Sequence, residues 1–203
     1  MQALIDGGIV SDIEGFNGDN LSGDFVVTYE KGTVSPGDVN LPFETVEPPK
    51  ISFRCDGNDG KKYTLIKTDP DAPDRIGHAY REFVHWVVTD ISAESLASGA
   101  IDGNTILPYL GVGAPYASGL HRYCFILFEQ PDGCDPGPSL ASALEGRGGK
   151  KVCVAASAAG LGPIVAATWY ESQWDESIDA VHEAMGWLPP PEFRSPKQQA
   201  ANP

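Results

Sequence analysis

The chain never sustains an apolar run long enough for a long buried helix, because 23 glycines and 17 prolines break it at short intervals along 203 residues. Glycine and proline punctuate turns, so the sequence reads as many short strands joined by tight connections. The candidate strands are Phe25–Tyr29, Ile51–Arg54, Tyr63–Thr68, Phe83–Asp90, Tyr123–Glu129, Val152–Ala156 and Val165–Tyr170. Between the second and third, Asp56-Gly57-Asn58-Asp59-Gly60 reads as a hairpin loop. Helical patterning is sparse. The best case is Glu171–Met185, where Ile178, Val181, His182 and Met185 recur at i, i+3, i+4 and i+7. Ser172 with Asp175 suggests a capping box, and Gly186 before Pro189-Pro190-Pro191 a stop. A second, weaker helix is placed within Pro138–Leu144 and an extended tail after Pro191. The class is mostly β with peripheral helices. One domain over residues 1–188, followed by a Pro-rich tail at 189–203, accounts for the chain. A chain this long buries roughly 70% of its unfolded surface and needs no disulfide or metal staple.

Charge narrows the partners. Twenty-eight acidic against 14 basic residues give a net −14, a field that repels nucleic acid and anionic membranes and favours basic partners. A phosphate site in such a chain must be a local pocket that opposes the global field. Cys55, Cys124, Cys134 and Cys153 show no CxxC spacing, and Cys124 and Cys153 read as buried free thiols. The N-terminus has no basic segment before Asp6, Gly7 and Gly8, so no signal peptide is read there. No apolar stretch approaches the roughly 18 to 20 residues of a membrane span. The expected compartment is the cytoplasm.

Three segments carry chemistry. In Thr68-Asp69-Pro70-Asp71-Ala72-Pro73 two prolines bar the backbone from a ladder and hold two carboxylates at a strand end. The same residues alone would serve as a solvated acidic turn. In Tyr80-Arg81-Glu82-Phe83-Val84-His85-Trp86, period two puts His85 on one face with Phe83 and Val87. It is either a packed core histidine or one whose charge a nearby carboxylate sets. The stretch from Gly111 to Tyr123 is a glycine-rich loop feeding a strand with His121 and Tyr123 on one face. Its backbone N–H groups can converge into an anion nest, or it is an ordinary loop.

Together these segments, Asp-Pro-Asp-Ala-Pro, His85-Trp86, Gly-x-Gly-x-Pro and Gly119-Leu120-His121-Arg122-Tyr123, resemble the phosphatidylethanolamine-binding protein family. The resemblance extends to Ile9-Val10-Ser11-Asp12, to the Val34–Pro42 stretch and to Phe125–Gln130, and so covers nearly the whole chain. Residues 81–86 and 125–128 look like the plant flowering-regulator branch, whereas Gln173-Trp174-Asp175 looks like the animal kinase-inhibitor branch. Ala114-Pro115 departs from the family's Pro-Pro.

The resemblance implies a large antiparallel sheet packed on a smaller one, with a small cavity near a C-terminal helix. By matching position it implies a lining of Asp69, Asp71, Pro73, Tyr80, His85, Gly111, Gly113, Pro115, His121 and Tyr123. It also implies a cis Ala72–Pro73 bond, with a cis or strained Arg81–Glu82 peptide beside it. Two histidines, two tyrosine hydroxyls and the loop N–H groups would donate to a phosphate or other small anionic group. Asp69 and Asp71 would keep His85 charged or accept from an ammonium such as ethanolamine. His182 stands where the family often has a tyrosine, and would put a third titratable imidazole over the pocket. The implied role is a non-catalytic, monomeric regulator of kinases, proteases or other signalling proteins. Membrane contact would be at most peripheral, with no direct nucleic-acid binding and no cofactor. A lipid-headgroup carrier and a hydrolase using the Asp/His/Tyr cavity are the alternatives. Metal ligation by Asp69, His85 and His121 is disfavoured, because the segments contain no short His-x-x-x-His or Cys-x-x-Cys pair.

Overall fold

A computed structural model describes residues 1–57 and 60–201. In chain order the elements are α1 (Gln2–Asp6), α2 (Ile9–Asp12), β1 (Asp24–Tyr29), β2 (Gly32–Thr33), β3 (Asp38–Val39), β4 (Lys50–Arg54), β5 (Lys62–Asp69) and β6 (Phe83–Ser92). They continue with α3 (Ala93–Ser98), β7 (Asn104–Leu107), β8 (His121–Gln130), α4 (Gly137–Leu144), α5 (Val152–Ala158), β9 (Ile164–Ser172), α6 (Ile178–Ala184) and α7 (Pro196–Ala201).

The strands form a three-stranded sheet, β2-β1-β4, and a six-stranded sheet, β3-β9-β8-β5-β6-β7. The large sheet is mixed rather than purely antiparallel, since the short β3 runs parallel to β9. One of its faces packs on the small sheet through Tyr63, Leu65, Trp86, Val88, Phe125 and Leu127. The other is covered by the helices, through Ile66, Val84, Val87, Ile126, Leu140 and Val152. Being covered on both faces is why β8 carries the continuous apolar run Tyr123–Phe128 rather than an alternating one, and why β5 is buried along its length although it includes Thr64, Lys67, Thr68 and Asp69. Within β5 only Lys62 is exposed.

Six of the seven expected strands are present. The seventh, Val152–Ala156, is the helix α5, which buries Val152, Cys153 and Ala156. A short apolar run cannot be told from a helix face by periodicity alone, and the alanines that follow favour the helix. The expected hairpin at 56–60 does not join paired strands, because β4 pairs with β1 while β5 lies in the other sheet. Asn58 and Asp59 of that loop lie outside the described residues. The expected helix from Glu171 begins only at Ile178, because β9 runs on to Ser172, which pairs with His121. Ser172 is therefore no cap: its hydroxyl donates to the Asn40 carbonyl, and the Asp175 carboxylate accepts from the Ser177 backbone instead. The helix within 138–144 and the Gly186 stop are present. The segment after Pro191 is not extended. It holds a 3-10 turn at Pro191–Phe193 and then α7, and the buried Ser195 hydroxyl donates to Asp179 on α6.

Candidate functional site

At the C-terminal end of β5 the chain reverses through Asp69–Pro73, and the Ala72–Pro73 peptide is cis, as is Arg81–Glu82. Next to this reversal β6 carries a bulge. Lys67 pairs with Trp86 and Thr68 with Val84, so His85 is the extra residue. A bulge breaks the period of two and re-aims side chains. That corrects the expected face: His85 contacts the Phe83 ring, with centroids 5.1 Å apart, but Val87 turns to the opposite, helix-covered side.

The bulge opens onto a cavity of about 800 Å³. Asp69, Pro73, Tyr80, His85, Gly111, Gly113, Pro115, His121 and His182 all stand on its wall. Asp71 and Tyr123 do not. Asp71 is turned away to the buried Arg122, accepting from its Nε at 2.8 Å and from its backbone N–H at 2.9 Å. Arg122 in turn donates to the Gly7 carbonyl and to Asp12. Tyr123 lies behind the wall, where its hydroxyl accepts from the Gly113 N–H at 3.3 Å and its ring meets His85 edge-on. The cavity is larger and more apolar than a headgroup pocket, since Ile106, Leu107, Ala141, Val181 and Trp187 extend the wall.

The protonation of each histidine follows from its partners. Ser118 Oγ donates to the Pro115 carbonyl at 2.6 Å and so accepts from His121 Nε2 at 2.9 Å. His121 Nδ1 donates to Asp69 at 2.8 Å. Both ring nitrogens are donors, which describes an imidazolium. Burial opposes that charge, but the Asp69 carboxylate outweighs it and holds the pKa above the usual histidine value.

His85 differs. Its Nδ1 donates to the Leu110 carbonyl at 3.3 Å, and burial, with the Lys67 cation beside it, pushes its pKa well below the ordinary value. Asp69 and Asp71 do not charge His85, contrary to expectation: one is engaged by His121 and the other by Arg122. His182 is also held neutral, because Nε2 donates to the Gly113 carbonyl at 2.9 Å while Nδ1 accepts from the Gln198 amide at 3.2 Å. Burial lowers its pKa.

At Gly111 and Gly113 the glycine loop does not form the expected nest, and its left-handed backbone lies instead at Ala117 and Gly119. Gly111 and Gly113 both lack the positive φ such concavities use, and the Gly113 N–H is engaged by Tyr123. Gly111 is there for close approach, since a Cβ would stand 2.8 Å from the Thr45 carbonyl. The loop instead offers carbonyls to His85, His182 and Lys67.

Sequence reasoning missed Lys67, Ser118, Arg122 and Arg147. Lys67 is fully buried, donating to the Tyr109 hydroxyl and the Leu110 carbonyl at 3.1 Å each and lying over the Tyr109 ring at 4.4 Å. Burial drives its pKa well below the ordinary value. A lysine directly after Leu65 and Ile66, inside an expected strand, was the available signal. Arg147 stands on the cavity wall and donates to the Val84 and Pro108 carbonyls. Among the described residues no cluster of three or more histidine, cysteine or acidic side chains is arranged to hold a metal, and no helix is long and apolar enough to cross a membrane.

The family model described as phosphatidylethanolamine-binding protein matches residues 15–170. Among solved structures, a phosphatidylethanolamine-binding protein from Plasmodium vivax superposes with a TM-score of 0.73 at 23% identity, covering 86% of this chain and 97% of that one. Carboxypeptidase Y inhibitor, solved in complex with its cognate proteinase, gives 0.71 at 24%, over 86% and 94%. The solution structure of CG7054 gives 0.60 at 32%, over 80% and 91%. In sequence, the Saccharomyces cerevisiae protein named "Uncharacterized protein YLR179C" is 45% identical over 78 residues. That match spans 36% of this chain and 39% of the yeast protein's length.

Proposed function

The chain belongs to the phosphatidylethanolamine-binding protein family, and from that membership and the cavity we propose a non-catalytic binding protein for small anionic, phosphoethanolamine-type groups. The observation that carries this reading is a local reversal of charge. In a chain of net −14, the carboxylates at or just behind one cavity wall, Asp69 and Asp71, are neutralised by His121 and Arg122, while the Arg147 guanidinium on that wall and the buried Lys67 behind it have no carboxylate partner. We read residues 1–188 as the binding domain and 189–203 as an appended segment in which Ser195 and Gln198 tie down α6, and with it His182. Occupancy of the cavity would then regulate a protein partner. A solved neighbour is an inhibitor bound to a proteinase, which supports a protein such as a protease as that partner, with a kinase the alternative. The cytoplasm is the compartment this role suits.

The test is a titration of labelled protein with inorganic phosphate. The His85, His121 and Gly111–Gly113 resonances are expected to move first, and shifts confined to another surface would refute the assignment. Binding should strengthen as the pH falls through the depressed His85 range, because protonation there adds a cation to the wall.

One observation favours a second, hydrolytic reading. Ser118, His121 and Asp69 are linked in the order of a serine-hydrolase triad, at 2.9 and 2.8 Å. Yet the serine proton is held by the Pro115 carbonyl and both imidazole nitrogens carry hydrogen, so no base is available to activate the hydroxyl. We expect a p-nitrophenyl ester to be hydrolysed no faster by wild type than by Ser118→Ala. A Ser118-dependent burst would reverse this conclusion.

A further inference from the structure

We propose that the Glu145–Gly148 loop reads the two charges of a zwitterionic ligand, with Arg147 holding the phosphate and Glu145 the ammonium. The inference rests on the headgroup reading above and names the residues that give it selectivity. The carboxylates at the Asp69–Pro73 reversal are not available to an ammonium. Asp69 is bound by His121, and Asp71 is bound by Arg122 and stands off the cavity wall. Among the described residues, the charged wall residues in no ion pair are Glu145 and Arg147.

Arg147 is built into the wall in a particular way. Two of its five N–H donors fix the guanidinium against the Val84 and Pro108 carbonyls, at 3.0 and 2.9 Å, leaving three for a ligand. Pinning of this kind lowers the entropy lost when a second set of hydrogen bonds forms, and the guanidinium fork matches phosphate oxygens. The charge reaches the neighbouring histidine, since Arg147 contributes to keeping His85 neutral.

The backbone supplies a second observation. Gly146, Arg147 and Gly149 all have left-handed φ, at 76°, 62° and 68°, and the Gly148 N–H donates to the Gly146 carbonyl at 2.7 Å. That bond closes a γ-turn with Arg147 at its apex, in the rarer hand that glycine enters freely and other residues do not. Three of the four residues from 146 to 149 are glycine. The one residue with a side chain takes the strained apex and faces the cavity, and strain kept at such a place is a mark of function. Glu145 precedes this turn as the residue that ends α4, exposed at the rim.

Calorimetry with inorganic phosphate and with phosphoethanolamine tests both halves. Arg147→Gln is expected to weaken both ligands by about ten- to a hundredfold, the range for losing a charged hydrogen-bonding partner. Arg147→Lys should recover part of that loss. Glu145→Gln should weaken phosphoethanolamine about tenfold, by the same range, while leaving phosphate unchanged or tighter. In wild type the Arg147 Nε–H resonance should shift with either ligand, a response that a purely structural arginine would not give.

A free phosphoethanolamine and a lipid headgroup present the same chemistry, so sedimentation with vesicles containing phosphatidylethanolamine forms a parallel arm. Loss of binding in both substituted proteins supports the proposal from either source. Wild-type affinity for both ligands in Arg147→Gln, with its melting curve intact, overturns the anchor and leaves the headgroup reading standing. Equal affinity of wild type and Glu145→Gln for phosphoethanolamine overturns the ammonium half, and Glu145 is a side chain whose removal does not threaten the fold. Wild type binding neither ligand overturns both this proposal and the headgroup reading.

Discussion

Asp71→Ala is expected to lose about 3–5 kcal/mol of stability, the cost of leaving the partner of a buried ion pair uncompensated. At this chain length that is a fall of about 6–20 °C in Tm. Asp71 is fully buried, and Arg122, at 3% exposure, directs its Nε, one Nη and its backbone N–H to it. Burial alone would raise the Asp71 pKa, but Arg122 reverses this and holds it below the usual carboxylate value. The sign of the pH dependence follows. A depressed carboxylate contributes its stability above the unfolded pKa and loses it as pH falls through the folded one. The gap between wild type and Asp71→Ala should therefore be full at neutral pH and shrink below the ordinary carboxylate range. Urea midpoints at pH 7 and in acid measure it. The double variant Asp71→Ala, Arg122→Met should be less destabilised than the sum of the two single changes, because it removes the orphaned charge. Simple additivity would show that the pair is not the cause.

Glu82→Gln is expected to act in the opposite direction and stabilise the protein at alkaline pH. Glu82 is 1% exposed, and burial raises its pKa to about 7 despite the Val152 N–H that donates to it and the nearby Arg81. A carboxyl whose folded pKa lies above the unfolded one gives its stability below the unfolded value and loses it as pH rises through the folded one. Between the ordinary carboxyl value of 4.5 and about 7, the wild type should lose about 3 kcal/mol, at 1.36 kcal/mol per unit. Glutamine keeps an oxygen for the Val152 N–H and has no proton to lose. Its advantage should be absent near pH 4 and reach about 3 kcal/mol at pH 8. Denaturation curves for both proteins across that interval decide it, and parallel pH profiles would mean that Glu82 is not the titrating group.

These two carboxylates and the cavity follow one electrostatic rule. A chain with a surplus of acid engages its buried negative charges in pairs or keeps them protonated, as at Asp69, Asp71 and Glu82. Arg147 on the cavity wall and Lys67 behind it have carbonyl and hydroxyl partners rather than carboxylates. The cavity wall can therefore attract an anion although the molecule as a whole repels one.

The amino-acid sequence by itself determined the family, the mostly β class and six strands, because these rest on local information. Glycine and proline set the turns, and the apolar runs between them are long enough for strands and too short for long buried helices. It also placed nine of eleven nominated residues on one cavity, since the motifs sit at strand ends that the fold brings together. Local pattern could not decide what depends on partners distant in the chain. Val152–Ala156 is a helix because the outer face of the large sheet needed covering, and Ser172 is a strand end because His121 pairs with it. The single extra residue of a bulge, visible only once Thr68 is paired with Val84, separated His85 from Val87 and opened it to the cavity. The charge states came last of all. His121 is an imidazolium because the Asp69 carboxylate stands 2.8 Å from Nδ1 and the Ser118 hydroxyl 2.9 Å from Nε2, whereas burial keeps His85 and His182 neutral against the carbonyls they face, and the neighbours of these rings are contributed by chain segments up to 69 residues away.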